Sequence, residues 1–498
     1  MFNSYKGMTH QQESFKIFPS NRKKVNKSES IKIDYQADSW QNDSDFFSGN
    51  NSPVFEERYV KNLEVTGELP EWLNGVYMRN GPNPHFSSEK LTFPYDGDGM
   101  LHAIYFEKGG VAYRNKWIKT EELEAEKRAG KSLWNSVTSP NFLSRKTRKK
   151  YNAPNTPVKN TANTNVIQHG GHILAMYEGG IPYKISENLE TLGTFDYDGQ
   201  VKGMIAHPRT CPVTGELHFL QYSIIQYPFL RYYVISPKGK VIKDVPIYTK
   251  GVTLLHDMVL TPNYIVFFAC PMYLSLFRAM MLKNPMQWRP KKGTRIGVIP
   301  RNGNSKKVTW IEAEPYFVWH IMNGFEENGN IIVDYIKHEY QANTTTVNHT
   351  IPLLHRLKLN LQKGIISDNA MDDQNVEFPN INPRMTGKKY RFGYTTKTKK
   401  NDLEIGHFTE MVQYDFEDNI YKTFRLPKGY TVGEPTFVPH PYKKEEAEGV
   451  VVTFVHDINT NLSKLVILDP LNFDKAPIAT VSLPFRVPNG FHGDWVGF

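Results

Sequence analysis

Sixteen histidines are spread along the 498 residues, and four of them share a local setting that suits metal coordination. His207 stands in GMIAHPRT, His256 in TLLHDMVLT, His320 in YFVWHIMNGFE and His492 in NGFHGDWV. Each is flanked by apolar residues and a turn former. A neutral imidazole buried at a strand end offers one nitrogen lone pair to a metal and keeps the other nitrogen for an orienting hydrogen bond. The separations along the chain are 49, 64 and 172 residues. Ligands so far apart must come from different sheets, and a radial fold that gathers strand ends on one axis would do this. No HxH or HExxH pair occurs, so there is no local metal motif. Taken singly, each histidine reads as a hydrogen-bonded or solvated ring, and spacing alone does not choose ligands among the sixteen.

The elements that must carry these residues are strands. Runs such as HILAMYEGG, ELHFLQYSI, YIVFFACP, NIIVDYIKHE, GVVVTFVHD and KLVILDP are rich in β-branched and aromatic residues and are bounded by Gly, Pro, Asn and Asp. They continue to the C-terminus without a clear linker. That predicts one all-β domain over 51–498, a propeller or a stacked-sheet form, although no repeat of fixed period is visible. Residues 1–50 are polar, with a basic Arg22-Lys23-Lys24 cluster, and are expected to form a flexible extension. TEELEAEKRAGKSLW (120–134) is expected as a charged surface helix or loop. CPMYLSLFRAMMLKNPMQW (270–288) is expected as a helix too apolar around its circumference for a surface helix, suited to covering a greasy entrance or dipping into a bilayer.

Composition narrows the function classes. Hydrophobic residues make up 39% and aromatics 13%, enough for a large core and an apolar pocket. Lys and Arg exceed Asp and Glu by 60 to 51, a net charge of +9. No zinc finger, RNA-recognition motif or concentrated basic helix accompanies it, so no nucleic-acid partner is expected. Two cysteines argue against a disulfide scaffold. There is no signal-peptide core and no run of eighteen apolar residues, so a cytoplasmic protein is expected, with peripheral membrane contact through 270–288.

A series of blocks then carries a resemblance. LNGVYMRNGPNPHF (73–86), FPYDGDGMLHAIYF (93–106), NTNVIQHGGHILAMYEGGIPY (163–183), MIAHPRTCPVTGELHFLQYS (204–223), LLHDMVLTPNYIVFF (254–268), VWHIMNGFEENGNIIVDY (318–335), EFPNINPR (377–384), GEPTFVPHP (433–441) and FHGDWV (491–496) resemble, in order, the carotenoid cleavage oxygenase family, also known as the retinal pigment epithelial membrane protein family. The resemblance implies a seven-bladed β-propeller capped by loops and short helices, with one iron(II) on its axis. It implies His207, His256, His320 and His492 as the iron ligands. It also implies Glu178, Glu377 and Glu434 as the carboxylates that hydrogen-bond ligating imidazoles, one ligand being left without such a partner. Thr164, Tyr177, Leu254 and Trp319 match positions near the metal, the Thr164 methyl partly blocking an open coordination position.

Four neutral imidazoles would leave iron its full charge, and three carboxylates would restore the balance and set each tautomer. The implied reaction is cleavage of a conjugated C=C bond of a carotenoid or apocarotenoid with O2, giving aldehydes or ketones. An apolar tunnel would hold the polyene by burial, at about 25 cal/mol per Å2. A stilbene-type olefin is the alternative substrate. Retinoid isomerisation fits less well, because vertebrate members carry a PDPCK-type cysteine motif where this chain has GPNPHF. A catalytically idle pigment- or partner-binding propeller is disfavoured by retention of all seven His and Glu positions.

Overall fold

Short runs of β-branched and aromatic residues between turn formers favour antiparallel strands joined by tight turns. The computed structural model describes residues 29–31, 47–88, 90–91, 94–339, 351–398 and 407–498. In them the runs form seven antiparallel sheets, the blades of a propeller, with three α-helices among the described residues. Most of the polar extension expected over 1–50 lies outside the described residues, apart from Glu29–Ile31, which pairs with Glu57–Val60 at the edge of the first blade, and residues 47–50, where Phe47 is buried.

Five of the blades run outward in chain order, as in Arg209–Thr210, Leu217–Tyr222, Leu230–Ile235 and Val241–Ile247. The ring closes twice. Gly493–Gly497 pairs with Gly75–Pro82, placing Trp495 opposite Tyr77, while Val65–Gly67 pairs with Ala479–Leu483. Segments from both chain ends are thus stitched into the first and last blades. Between blades the sheets bury apolar layers, such as Leu217, Phe219, Phe267 and Ile299 on one side and Val259, Val298, Ile321 and Val333 on the next. Gly324 serves close approach here. A Cβ at that position would lie 2.3 Å from Cγ1 of Val259, so the inner strand Ile321–Glu327 could not pass its neighbour with any side chain there.

The inner strands position the chemistry. They are Asn165–His169, Arg209–Thr210, Val259–Leu260, Ile321–Glu327, Val376–Ile381, Thr436–Pro439 and Gly493–Gly497. Thr164, His207, His256, His320, Glu434 and His492 each stand one to three residues before such a strand, and Glu377 is the second residue of its own. All seven strands therefore present one candidate residue at the same end of the axis.

Two expectations need correction. The segment 120–134 contains the helix Glu121–Ala129, capped by the Thr120 hydroxyl and closed by Gly130 at φ +66°, but it is not a solvated helix. Glu122, Leu123, Ala125 and Glu126 are buried, because Glu126 and Asp98 both grip Lys159 at 2.5 Å. The partner is 33 residues away in sequence, so local pattern cannot reveal it. The segment 270–288 is not one helix. Met272–Leu274 pairs with Met286–Trp288 as a hairpin, with only Leu276–Met280 helical at its tip. Asn284-Pro285 stops the helix, and main-chain pairing of Met272 with Trp288 satisfies backbone groups that a longer helix would have used.

The Lys159 knot fixes the cap to the first blade, and its removal should be costly. Lys159→Met leaves two buried carboxylates unpaired and is expected to lower unfolding stability by about 3–5 kcal/mol, read as a fall in the urea midpoint at neutral pH. Burial raises the Glu126 carboxyl, so the deficit should shrink as pH falls through that raised titration. A deficit that does not change between about pH 5 and 8 would show that the carboxylates are not its cause.

Candidate metal centre

The four histidines meet on the axis. His207 Nε2 lies 3.0 Å from His492 Nε2, and His320 Nε2 lies 3.2 Å from the same atom. One ligand nitrogen from each of the four rings falls within a span of 4.8 Å. The rings stand edge to face, His207 against His256, His320 and His492 with centroids 4.7, 5.2 and 4.1 Å apart.

Carboxylates turn three of the rings. His256 Nδ1 donates to Glu178 Oε2 at 2.6 Å, His320 Nδ1 to Glu377 Oε2 at 2.6 Å and His492 Nδ1 to Glu434 Oε1 at 2.9 Å. With the proton on Nδ1, the lone pair is on Nε2 and faces the centre. His207 is the ring with no carboxylate partner among the described residues.

The donor set fits a cation. Burial, and then the neighbouring rings, holds His207 well below the ordinary imidazole range and brings His492 down to about 3; burial lowers His320 as well. With their protons on Nδ1, His320 and His492 have no proton to share across the 3.2 Å gap, so those two lone pairs repel. Two nitrogens held about 2.1 Å from one ion at a right angle would be roughly 3.0 Å apart. The spacing is that of ligands around an ion. The carboxylates differ among themselves. Burial pushes Glu434 up to about 8 and raises Glu178. Burial also opposes charge on Glu377, but His320 and His338 together bring its carboxyl well below the usual range.

Beside the ligands lies a brace that no sequence pattern announced. Arg209, two residues after His207, donates from Nη2 to Oδ1 and Oδ2 of Asp257 at 2.8 and 2.6 Å. Asp257, the residue after His256, accepts the Ile321 N–H at 2.8 Å, and Arg209 Nη2 donates to the Ile321 carbonyl at 2.8 Å. Ile321 follows His320. One ion pair thus ties the chain beside three of the histidines on three blades. It borders a cavity of about 460 Å3 between the inner strands, lined also by His207, His320, Glu434, His492 and Asp494.

The four other predicted residues have these surroundings. The Thr164 carbonyl accepts the His492 N–H at 3.2 Å, while its hydroxyl donates to Asn163 Oδ1 at 3.0 Å. Trp319 stands perpendicular to His256, with centroids 5.1 Å apart. Leu254 is buried, its N–H bound to the Met272 carbonyl of the hairpin. Tyr177 is buried and shares a wall with Tyr95, whose ring lies 6.0 Å from Trp319 and 5.2 Å from Phe491. Sequence reasoning did not select Tyr95, Phe378 or Phe491. Phe378 stacks on His320 at 5.3 Å and has φ +51°, a left-handed backbone costly for an aromatic residue. Its N–H donates to Glu377 Oε2 at 2.7 Å. A bulge in the strand permits this, and bulges of that kind leave no mark in the sequence.

Residues 51–497 match the family described as retinal pigment epithelial membrane protein. The isoeugenol monooxygenase of Pseudomonas nitroreducens is 31% identical over 474 residues, covering 90% of this chain and 97% of that protein. The carotenoid 9,10(9',10')-cleavage dioxygenase 1 of Arabidopsis thaliana is 31% identical over 487 residues, covering 91% and 89%. The crystal structure of Pseudomonas brassicacearum lignostilbene dioxygenase superposes with a TM-score of 0.83 at 26% identity, covering 92% of this chain and 99% of that one. A propeller of seven blades, a four-histidine group that could bind a metal and similarity to these proteins over nine-tenths of its length make this chain a member of the retinal pigment epithelial membrane protein family and an oxidoreductase that incorporates dioxygen.

Proposed function

We propose that the chain is a non-haem iron(II) dioxygenase that cleaves a conjugated C=C bond of a carotenoid or apocarotenoid, giving two carbonyl products. The observation that carries the reading is the convergence of four imidazoles, three of them backed by Glu178, Glu377 and Glu434. His207, His256, His320 and His492 would hold the ion. Iron(II) bound there supplies a one-electron reductant for dioxygen, which zinc(II) does not. The protein's own part is to keep the Nδ1–H of His256, His320 and His492 turned to their carboxylates, so that each Nε2 lone pair faces inward, and to exclude water with Trp319, Tyr95, Tyr177, Phe378 and Phe491. The Thr164 methyl narrows the approach to the ion, and the aromatic wall holds an apolar substrate by burial and shape.

Stilbene-type cleavage is the second reading, favoured by the likeness to the lignostilbene and isoeugenol enzymes. A phenol is best met by an ammonium group. The lysine that borders the Tyr95 and Tyr177 wall is Lys159, and Asp98 and Glu126 already bind it, which weighs toward the polyene.

The hairpin is the proposed membrane contact. No helix among the described residues is long and apolar enough to cross a bilayer. The hairpin tip nevertheless exposes Phe277, Met280 and Leu282 at 70, 65 and 57% of their surface, with Arg278, Lys283 and Arg289 nearby. Its Met272 carbonyl bonds Leu254, two residues from His256, so a substrate leaving a bilayer there would have a short path to the centre.

Four outcomes are expected. Protein loaded with iron(II) under air should convert a carotenoid or apocarotenal to two carbonyl fragments identified by mass. Turnover of resveratrol alone would favour the second reading. Loading with zinc(II) should preserve binding of a polyene, read by its absorption shift, and abolish cleavage. His320→Ala or Glu377→Gln should weaken metal binding, the latter by roughly 10–100-fold, measured by competition with a chelator. Replacing Phe277, Met280 and Leu282 together by Ser should lower co-sedimentation with anionic vesicles and slow cleavage of a vesicle-borne polyene. If sedimentation is unchanged, the hairpin is not the contact.

A further inference from the structure

Glu377 is held differently from the other two carboxylates. Glu434 accepts from His492 Nδ1 and from the Gly493 N–H that follows it, and Glu178 accepts from His256 Nδ1 and, at 3.4 Å, from the Ala206 N–H. Glu377 takes a second imidazole. His338 Nε2 lies 2.8 Å from Oε1, while Oε2 accepts His320 Nδ1–H at 2.6 Å and the Phe378 N–H at 2.7 Å.

The backbone sets this up. His338 is buried at the end of the strand Asn330–Lys337, in the same blade as His320. It forms an isolated bridge with Phe317, each N–H bonding the other's carbonyl at 2.8 and 2.9 Å, and the Ile336 N–H bonds the His320 carbonyl at 3.0 Å. The chain leading into His320 and the chain carrying His338 are therefore in fixed register, and their two rings meet Glu377 from the next blade.

Resting on the reading of the four histidines as metal ligands, we infer that His338 is a positioning residue: with His320 it grips both oxygens of Glu377, so that the carboxylate plane, the His320 ring and the direction of its Nε2 lone pair are set together. A carboxylate held by one oxygen can swing about its Cγ–Cδ bond. Held by both, it cannot turn without breaking a buried hydrogen bond. The effect passes through Glu377, and His338 itself touches neither the ion nor the substrate.

The test titrates the metal-free proteins with cobalt(II) alone, following its visible bands, with affinity from competition against a chelator and thermal melting of each metal-free variant alongside. His338→Leu should weaken cobalt binding about tenfold and change the band intensities. His338→Gln, whose amide nitrogen falls where Nε2 stood, should stay within about threefold of the parent. In a Glu377→Gln background, His338→Leu should add no further loss. Overturning results are a leucine variant with the parent's affinity and spectrum, a glutamine variant as weak as the leucine one, or a leucine loss that persists in full when Glu377 is already changed. If the leucine variant does not fold, His338→Gln against His338→Asn decides. The shorter asparagine cannot reach Oε1, so equal affinities overturn the grip and a glutamine advantage supports it. A parent protein that takes up no cobalt overturns the metal centre itself, and the grip with it. Normal uptake by the parent with an indifferent His338 overturns the grip alone.

Discussion

His207, His256, His320 and His492 bring ring nitrogens to one point on the axis, and holding them there is the constraint around which the rest of the molecule is organised. His207, His320 and His492 bring their Nε2 atoms to 3.0 and 3.2 Å. Burial disfavours a proton on His207, His320 and His492. Keeping the rings this close is a cost that the scaffold must bear. The carboxylates behind three rings and the Arg209–Asp257 brace between three blades are what bear it, because each removes a rotation or a strand shift that would let the rings drift apart.

A propeller suits this task because it turns sequence distance into angular position. Every inner strand begins near the same end of the axis, so residues 49, 64 and 172 apart become neighbours. Each of the four histidines then needs only a turn before a strand and a short apolar flank, and three of them add a carboxylate, Glu377 and Glu434 from an adjoining blade and Glu178 from two blades away. The asymmetry among the carboxylates follows from the same geometry. Glu434 is bound to its ligand's own backbone at Gly493, whereas Glu377 is gripped from two strands of the preceding blade. The bulged backbone at Phe378 completes that corner and presses an aromatic face on both His320 and His492.

Strand runs, turn formers and the absence of a linker were legible because they depend on local chemistry, and they led to an all-β domain. The choice of ligands was not legible locally. His218 and His102 have equally apolar flanks, yet the fold gives them Tyr232 and Tyr113 as partners. Only the order of whole sequence blocks, matched to a family, separated the four from the other twelve. The pairing of each glutamate with its histidine, the Arg209–Asp257 brace and the burial of Glu126 are long-range facts, set by which blades adjoin. The hairpin at 272–288 was misread for a different reason. Its leucines and methionines have good helix propensity, and pairing across the hairpin overrode it.

The placement of His492 links the chemistry to the closing of the ring. It stands immediately before Gly493–Gly497, the strand that joins the chain's end to Gly75–Pro82, and its N–H is bound to Thr164 in the second blade. An ion held by His492 together with His207, His256 and His320 would bridge the closing strand to the third, fourth and fifth blades. Binding energy at the centre would then act on closure, since any ligand that prefers the closed ring stabilises it by mass action. The same coupling runs in reverse. A seam that frays at Trp495 and Tyr77 would move His492 away from the other three rings, so an ion held there would be retained by the pairing of Gly493–Gly497 as well as by the imidazoles.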